Sequence, residues 1–287
     1  MPTLTPPEAE YAAATTGCGV VDRSERGKLA LTGGDTKEFL QGQVSNDVLS
    51  LVAGSGCYAA LLTPKGKMLA DLRILDAGEE ILLDTERVAL QELFNVIRRF
   101  SVGYDVALHK RTLERGLLSL LGPGSAGVAG AESLDGAEHT HTTVRVGTIE
   151  ARAIRTDLGV DLLCDAAQTE ALADALVRAG ARATSQETFD TVRIERGRPR
   201  YGVDLDDSVI PQEAGLNARA VSFTKGCYVG QETVARLHYR GKPNRQLRGL
   251  RLSAPAASGA EITFGDRIVG RLGSVAESPA LGPVALA

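Results

Sequence analysis

Between residues 57 and 75 the apolar positions form two near-continuous runs. Cys57-Tyr-Ala-Ala-Leu-Leu62 and Met68-Leu-Ala-Asp-Leu-Arg-Ile-Leu75 flank the turn signal Thr63-Pro-Lys-Gly-Lys67. Two such runs around a Pro/Gly link predict a hairpin. Upstream, Asp35 followed three residues later by Glu38 is a capping-box pattern ahead of Phe39 and Leu40, which predicts a helix start. Leu82 and Leu83 close another short strand. Thr85 then opens a helix in which Val88, Leu90, Leu93, Phe94 and Ile97 recur near the helical period.

Further along, residues 117–121 and 143–163 read as extended. The Gly/Ala-rich stretch 122–136 between them offers few large side chains and reads as a surface loop. A helix over 166–179 stops at Gly180, a residue suited to a left-handed cap. Thr184 with Glu187 repeats the capping-box pattern and starts a helix reaching about Arg196. After Arg236 the pattern changes. Short strands at 247–252, 261–264 and 268–275, divided by Gly, Pro and Ser, fit a small β-barrel. The whole predicts an α+β fold with a late all-β segment.

Composition narrows the function classes. The chain has 287 residues, 43% of them hydrophobic but only 4% aromatic and none Trp, so its core rests on Leu, Val, Ile and Ala. Those fractions exclude a disordered, collagenous or disulfide-rich chain. The first residues, Met-Pro-Thr-Leu-Thr-Pro-Pro-Glu8, carry neither a basic nor an apolar leader region, and no apolar run reaches a membrane span. A cytoplasmic protein is expected. The cysteines at 18, 57, 164 and 227 lack CxxC or CxxH spacing, so no metal site is expected. No P-loop, GxSxG or GxGxxG order is present, and the four histidines have no ligand spacing.

Chemistry concentrates in Phe223-Thr-Lys-Gly-Cys-Tyr-Val-Gly-Gln-Glu-Thr-Val-Ala-Arg236. Gly226 and Gly230 let the backbone turn around Cys227, just ahead of a helix starting near Gln231. A helix N-terminus and the adjacent Lys225 both favour thiolate over thiol. The alternative is a small buried apolar side chain. From Arg219 to Arg251 there are eight basic residues and one acidic residue, Glu232. That is either a solvated face or a patch for a polyanion, nucleic acid or the glutamate tail of a folate. With few interleaved aromatics and an overall net charge of -4, direct nucleic-acid binding is disfavoured.

Two carboxylates stand out. Glu195 ends a helix, a poor place for negative charge; it needs Arg193, Arg196 or a hydrogen-bonding ligand. Asp71 lies in an apolar strand, where alternation groups it with Leu69, Arg73 and Leu75. An Asp71–Arg73 pair is the plain expectation.

Lys225-Gly-Cys-Tyr-Val-Gly-Gln-Glu232 resembles the signature of the YgfZ family, folate-binding proteins related to the aminomethyltransferase of the glycine cleavage system. Ile210-Pro-Gln-Glu-Ala214, Val234-Ala-Arg236 with Tyr239-Arg-Gly241, Phe39-Leu-Gln-Gly-Gln-Val-Ser-Asn-Asp47 and Thr63-Pro-Lys-Gly-Lys-Met68 resemble the same family. The resemblance implies an aminomethyltransferase-like multidomain fold holding tetrahydrofolate. Residues 1–242 would form the folate-binding region, as two interleaved subdomains, and 243–287 a C-terminal β-barrel. It further implies support of iron-sulfur proteins, including radical enzymes that thiolate tRNA. Cys227 would be the residue on which activity depends, and Glu195, Lys225, Tyr228, Gln231 and Arg236 the folate-binding set, with Lys225 and Gln231 shaping the cysteine loop. Folate and iron-sulfur client proteins are the implied partners.

Two departures from the relatives matter. An Asp pair after Gly-Gly in the aminomethyltransferases is here Ala70-Asp71 after Gly66-Lys67, which puts their reaction in doubt and leaves Asp71 as the catalytic candidate. The chain also stops at Gly282-Pro-Val-Ala-Leu-Ala287, short of a finished barrel. A folate-dependent one-carbon transferase or demethylase using Asp71 is the second reading, and an RNA-binding factor using 219–251 the third.

Overall fold

The computed structural model describes residues 6–287; the reading of a leader-free Met1–Thr5 lies outside them. After a first helix, Pro6–Thr16, come β1 (Gly19–Asp22), β2 (Gly27–Thr32), β3 (Gly56–Leu62), β4 (Met68–Asp76), β5 (Ile81–Thr85) and β6 (Ala107–Lys110). They are followed by β7 (Arg115–Leu121), β8 (His141–Val146), β9 (Ile149–Arg155), β10 (Gly159–Asp165) and β11 (Arg182–Ala183). Strands β2 to β6 form one sheet, ordered β3-β4-β5-β2-β6. The first strand skips it and joins β7 to β11 in a second, ordered β11-β1-β7-β10-β9-β8. The chain is thus threaded through both sheets, and the fold is α+β.

The apolar runs of β4 and β5 are buried on both faces, and strand alternation sorts their side chains. Leu72, Ile74 and Leu83 pack with Phe39 and Leu40 of the helix Thr36–Gln43 and with Leu93 and Ile97 of the helix Leu90–Phe100. Leu75 and Leu82 point the other way, onto Ile154 and Leu163 of the second sheet. Asp71, Arg73 and Asp84 share that second direction, so charge is placed at the seam between the sheets. The second sheet's opposite face is covered by the helix Thr169–Arg178 through Leu172 and Leu176.

Local expectations shift where a tertiary contact outbids a local pattern. Asp35 precedes its helix without capping it; its carboxylate accepts from the Asp105 amide at 2.8 Å. Thr85 belongs to β5, its hydroxyl donating to the Asp71 carbonyl at 2.6 Å, and the following helix begins at Leu90 after a single turn over Arg87–Ala89. Val88 is left exposed. Ser185 rather than Thr184 caps the next helix, Gln186–Glu195, accepting from the Thr188 amide at 3.2 Å; Thr184 donates instead to the Val20 carbonyl. The 122–136 stretch contains a short helix, Ser125–Val128, and buries Ala129, Ala131 and Leu134.

The C-terminal strands are β12 (Gly249–Arg251), β13 (Glu261–Phe264), β14 (Arg267–Arg271), β15 (Val275–Ser278) and β16 (Gly282–Leu286). They form a three-stranded sheet, β12-β16-β15, and a separate β13-β14 hairpin. The expected strand 268–275 is broken at residues 272–274, and among the described residues no ladder closes the two pieces into a barrel. Val284 and Leu286 anchor this segment on Ile194 of the helix Gln186–Glu195.

Candidate functional site

A cavity of about 150 Å³ opens at the seam between the two large sheets. Tyr58 of β3, Asp71 and Arg73 of β4 and Asp161 of β10 form its walls, with Glu138 and His139 from the loop before β8. Arginines 23, 26, 193, 198, 200 and 219 complete most of the lining.

Asp71 is only 7% exposed. Its Oδ2 accepts from the Tyr58 hydroxyl at 2.5 Å, while Oδ1 has no hydrogen-bond partner. Burial pushes its carboxyl up to about 6, against the pull of the Tyr58 hydrogen bond, with Glu86 adding to the rise and Arg26 opposing it. The expected Asp71–Arg73 pair does not form. The register sets Arg73 opposite Asp84, and its Nε donates to Asp84 Oδ2 at 2.5 Å. Its Nη1 reaches across the seam to Asp161 Oδ2, also at 2.5 Å. Asp71 instead lies opposite Ala60 on β3, which leaves its carboxylate to Tyr58 and the cavity.

The other guanidinium groups are matched by acids. Arg26 bonds Asp84 at 2.7 Å and also Glu86. Arg193 holds Asp190 and Asp204, Arg198 holds Asp157, and Arg219 holds Glu138. The cavity is rich in arginine but not a bare anion trap. Its unmatched polar atoms are Asp71 Oδ1, both ring nitrogens of His139, and Nε of Arg200 and Arg219. A buried polar atom without a partner costs about 1–3 kcal/mol, so several around one cavity mark where a polar ligand would be held.

Cys227 lies elsewhere and does not line this cavity. It is exposed, whereas Cys18 and Cys164 are buried and burial pushes the half-buried Cys57 thiol up to about 12. Cys227 is the accessible thiol among the four. Its loop is built from behind. Lys225 Nζ donates to the carbonyls of Gln41, Val44 and Asn46 at 2.6, 2.7 and 3.0 Å, at the C-terminal end of the helix Thr36–Gln43, where a cation is favoured. All three ammonium protons are engaged there, so Lys225 fixes the loop. Tyr228 is buried against Leu62, Met68 and Val234. Gly230 adopts φ of 84°, and a Cβ there would stand 2.5 Å from the Thr63 carbonyl oxygen; only glycine lets the loop sit on the hairpin turn. Gln231 begins the helix Gln231–Arg240, on which Arg236 is exposed.

Glu195 occupies a third location. Tyr11 donates to both of its carboxylate oxygens at 3.0 Å, and Ser278 of β15 donates to Oε1. Its compensation at the helix end thus comes from two hydroxyls rather than from Arg193 or Arg196. Of the candidate residues, the structure brings only Asp71 to the cavity. Lys225, Cys227, Tyr228 and Gln231 form one loop; Glu195 joins the first helix to the C-terminal segment. In the sequence Tyr58 is one more residue of a strand, His139 is one of four histidines without ligand spacing, and Arg219 is one of a run of basic residues. An acid in an apolar strand was the single local signal of this cavity.

Two sheets threaded by one chain, a polar cavity at their seam and a small β segment define an aminomethyltransferase-like fold. The whole chain superimposes on 82% of the glycine cleavage system aminomethyltransferase T from Bartonella henselae with a TM-score of 0.85, at 24% identity. Residues 4–225 match the GCVT N-terminal domain, and the chain belongs to that family. An aminomethyltransferase from Rubrobacter xylanophilus is 30% identical over 286 residues, 96% of this chain and 76% of that one. A tRNA-modifying protein YgfZ from Yersinia pestis is 31% identical over 223 residues, 76% of this chain and 66% of that one. A putative chloroplastic transferase from Arabidopsis thaliana is 29% identical over 90% of this chain, which spans 62% of that relative's length. No helix among the described residues is long and apolar enough to cross a membrane.

Proposed function

We propose that this protein binds tetrahydrofolate in the Asp71 cavity and acts in the cytoplasm as an accessory to iron-sulfur cluster assembly or repair, through Cys227. The observation that carries the folate reading is the buried, unpartnered Asp71 Oδ1 beside the unpartnered His139 ring. A pterin ring edge presents N–H donors that an unpaired carboxylate oxygen accepts, and family membership supplies the ligand class. Asp71, with Tyr58 fixing its other oxygen, would hold that edge, and Arg200 and Arg219 would each offer a free Nε–H. Tetrahydrofolate supplies a carrier for one-carbon units. The client role rests on the relatives named tRNA-modifying proteins YgfZ and on a thiol displayed by a loop that Lys225 and Gly230 make rigid. The division into a folate-binding region, 1–242, and a C-terminal segment, 243–287, is part of the same proposal.

A folate-dependent one-carbon transferase is the second reading. Its favouring observation is Asp71 itself, a buried carboxyl raised to about 6 and therefore able to give or take a proton near neutrality.

Anaerobic calorimetric titration of tetrahydrofolate into the wild type, Asp71→Ala and Glu195→Ala tests the site. Saturable binding lost in Asp71→Ala and kept in Glu195→Ala supports it. Absence of binding by folded, ligand-free wild type refutes it. For the client role, Cys227→Ser is expected to melt like the wild type, because the thiol is exposed, yet to fail in sustaining a cluster-dependent tRNA-thiolating enzyme. Undiminished support by the variant removes the thiol from the mechanism.

A further inference from the structure

Among the described residues His139 is the one residue other than glycine with a positive φ, 73°. Histidine adopts that conformation at a steric disadvantage, and such strain persists where surrounding structure enforces it, often at ligand sites. The enforcement is visible: the His139 amide donates to the Arg155 carbonyl at 2.9 Å. The residue is 5% exposed, and neither ring nitrogen has a hydrogen-bond partner. Glu138 Oε1 lies 3.6 Å from Nε2 and is already engaged by Arg219. His141, two residues on, shows the contrast: its Nε2 lies 3.2 Å from the Ser55 carbonyl and its Nδ1 3.0 Å from Arg152.

The unsatisfied ring belongs to the cavity wall that also carries Asp71 Oδ1. Burial, reinforced by Arg73 and Arg219, pushes the imidazole down to about 3. At neutral pH the ring is uncharged, with one N–H donor and one lone-pair acceptor. The surrounding guanidiniums are already matched by carboxylates, so a uniformly anionic group finds less to bind here than a ring edge offering both donors and acceptors.

We propose that His139 is a ligand-contacting residue, whose neutral imidazole hydrogen-bonds the heterocyclic ring that Asp71 holds. The inference rests on the folate reading above and adds to it a residue from the loop before β8. In this arrangement Asp71 accepts from one position of the ring edge, and His139 reads a second position. The strained backbone at His139 is what delivers the ring to the cavity.

His139→Gly tests this, because glycine accepts the positive φ without strain while removing the imidazole. The variant should melt at or above the wild-type temperature. It should bind tetrahydrofolate about tenfold more weakly, a loss of ~1.4 kcal/mol, and free imidazole should restore part of the affinity. Tetrahydropterin, which lacks the benzoylglutamate tail, should lose affinity by the same factor. His139→Asn, which also tolerates the left-handed backbone, should bind at an intermediate level and serves if the glycine variant folds poorly. Wild-type affinity in His139→Gly overturns the inference. So does a loss that imidazole cannot reverse, or one confined to the tailed ligand. No binding by the wild type takes down the folate reading and this inference together.

Discussion

Asp71→Asn separates what the carboxylate does for the fold from what it does for the ligand. In the folded protein Asp71 titrates near 6; unfolded, it returns to ~3.9. The folded state therefore holds the proton more tightly, and stability falls as pH rises through this window. A rise from ~3.9 to about 6 is equivalent to about 3 kcal/mol at most. By the same linkage the penalty is about 1 kcal/mol at pH 4.5 and about 3 kcal/mol at pH 7.5. The residue is 7% exposed, so solvent screening does little to reduce this. Asparagine carries no such charge and keeps an oxygen for the Tyr58 hydroxyl. Its stabilisation over the wild type should accordingly grow by about 2 kcal/mol between the two pH values. Paired urea titrations at both pH values measure this difference, since other titrating groups are common to the two proteins. The amide nitrogen would take the place of the unpartnered Oδ1, where a donor meets the ligand's donor, so tetrahydrofolate binding should fall in the same variant. A stability gain that is flat with pH, within ~0.5 kcal/mol, refutes the raised carboxyl. Folate affinity equal to wild type refutes Oδ1 as the acceptor.

Arg73→Met should destabilise by about 3–5 kcal/mol in urea unfolding, because Asp161 loses its partner across the seam; adding Asp161→Asn should recover part of that, and strictly additive losses would show that the pair is uncoupled. Lys225→Met keeps the apolar stem but strands three carbonyls, at a cost of about 2–3 kcal/mol, and should raise the mobility of the Cys227 loop, read as faster alkylation of Cys227; unchanged stability would mean that water replaces the ammonium without loss.

The parts of this molecule that were legible in the sequence are those whose cause is local. The hairpin 57–75 follows from two apolar runs and a Pro/Gly turn, and strand alternation set Asp71, Arg73 and Leu75 on one face; Leu69, at the register shift opposite Leu61 and Leu62, packs instead with the opposite cluster around Leu72 and Ile74. Octapeptide 225–232 led to the right family through side chains that are mostly structural: Lys225 on three carbonyls, Tyr228 in a core, Gly230 against Thr63. The cavity was not legible in the same way, because its pairings span the chain. Arg73 meets Asp161 at a separation of 88 residues, and Arg219 meets Glu138 at 81. Even the local expectations that failed did so against distant competitors: Asp35 gave up its cap for Asp105, 70 residues away. A neighbour in sequence identifies a partner only when nothing from the other sheet arrives first. At Arg73 something did, and Asp71 was left with one buried, unpartnered oxygen in the cavity wall. The same seam that hides the site from the sequence therefore creates it, by giving Arg73 two better partners and withholding one from Asp71.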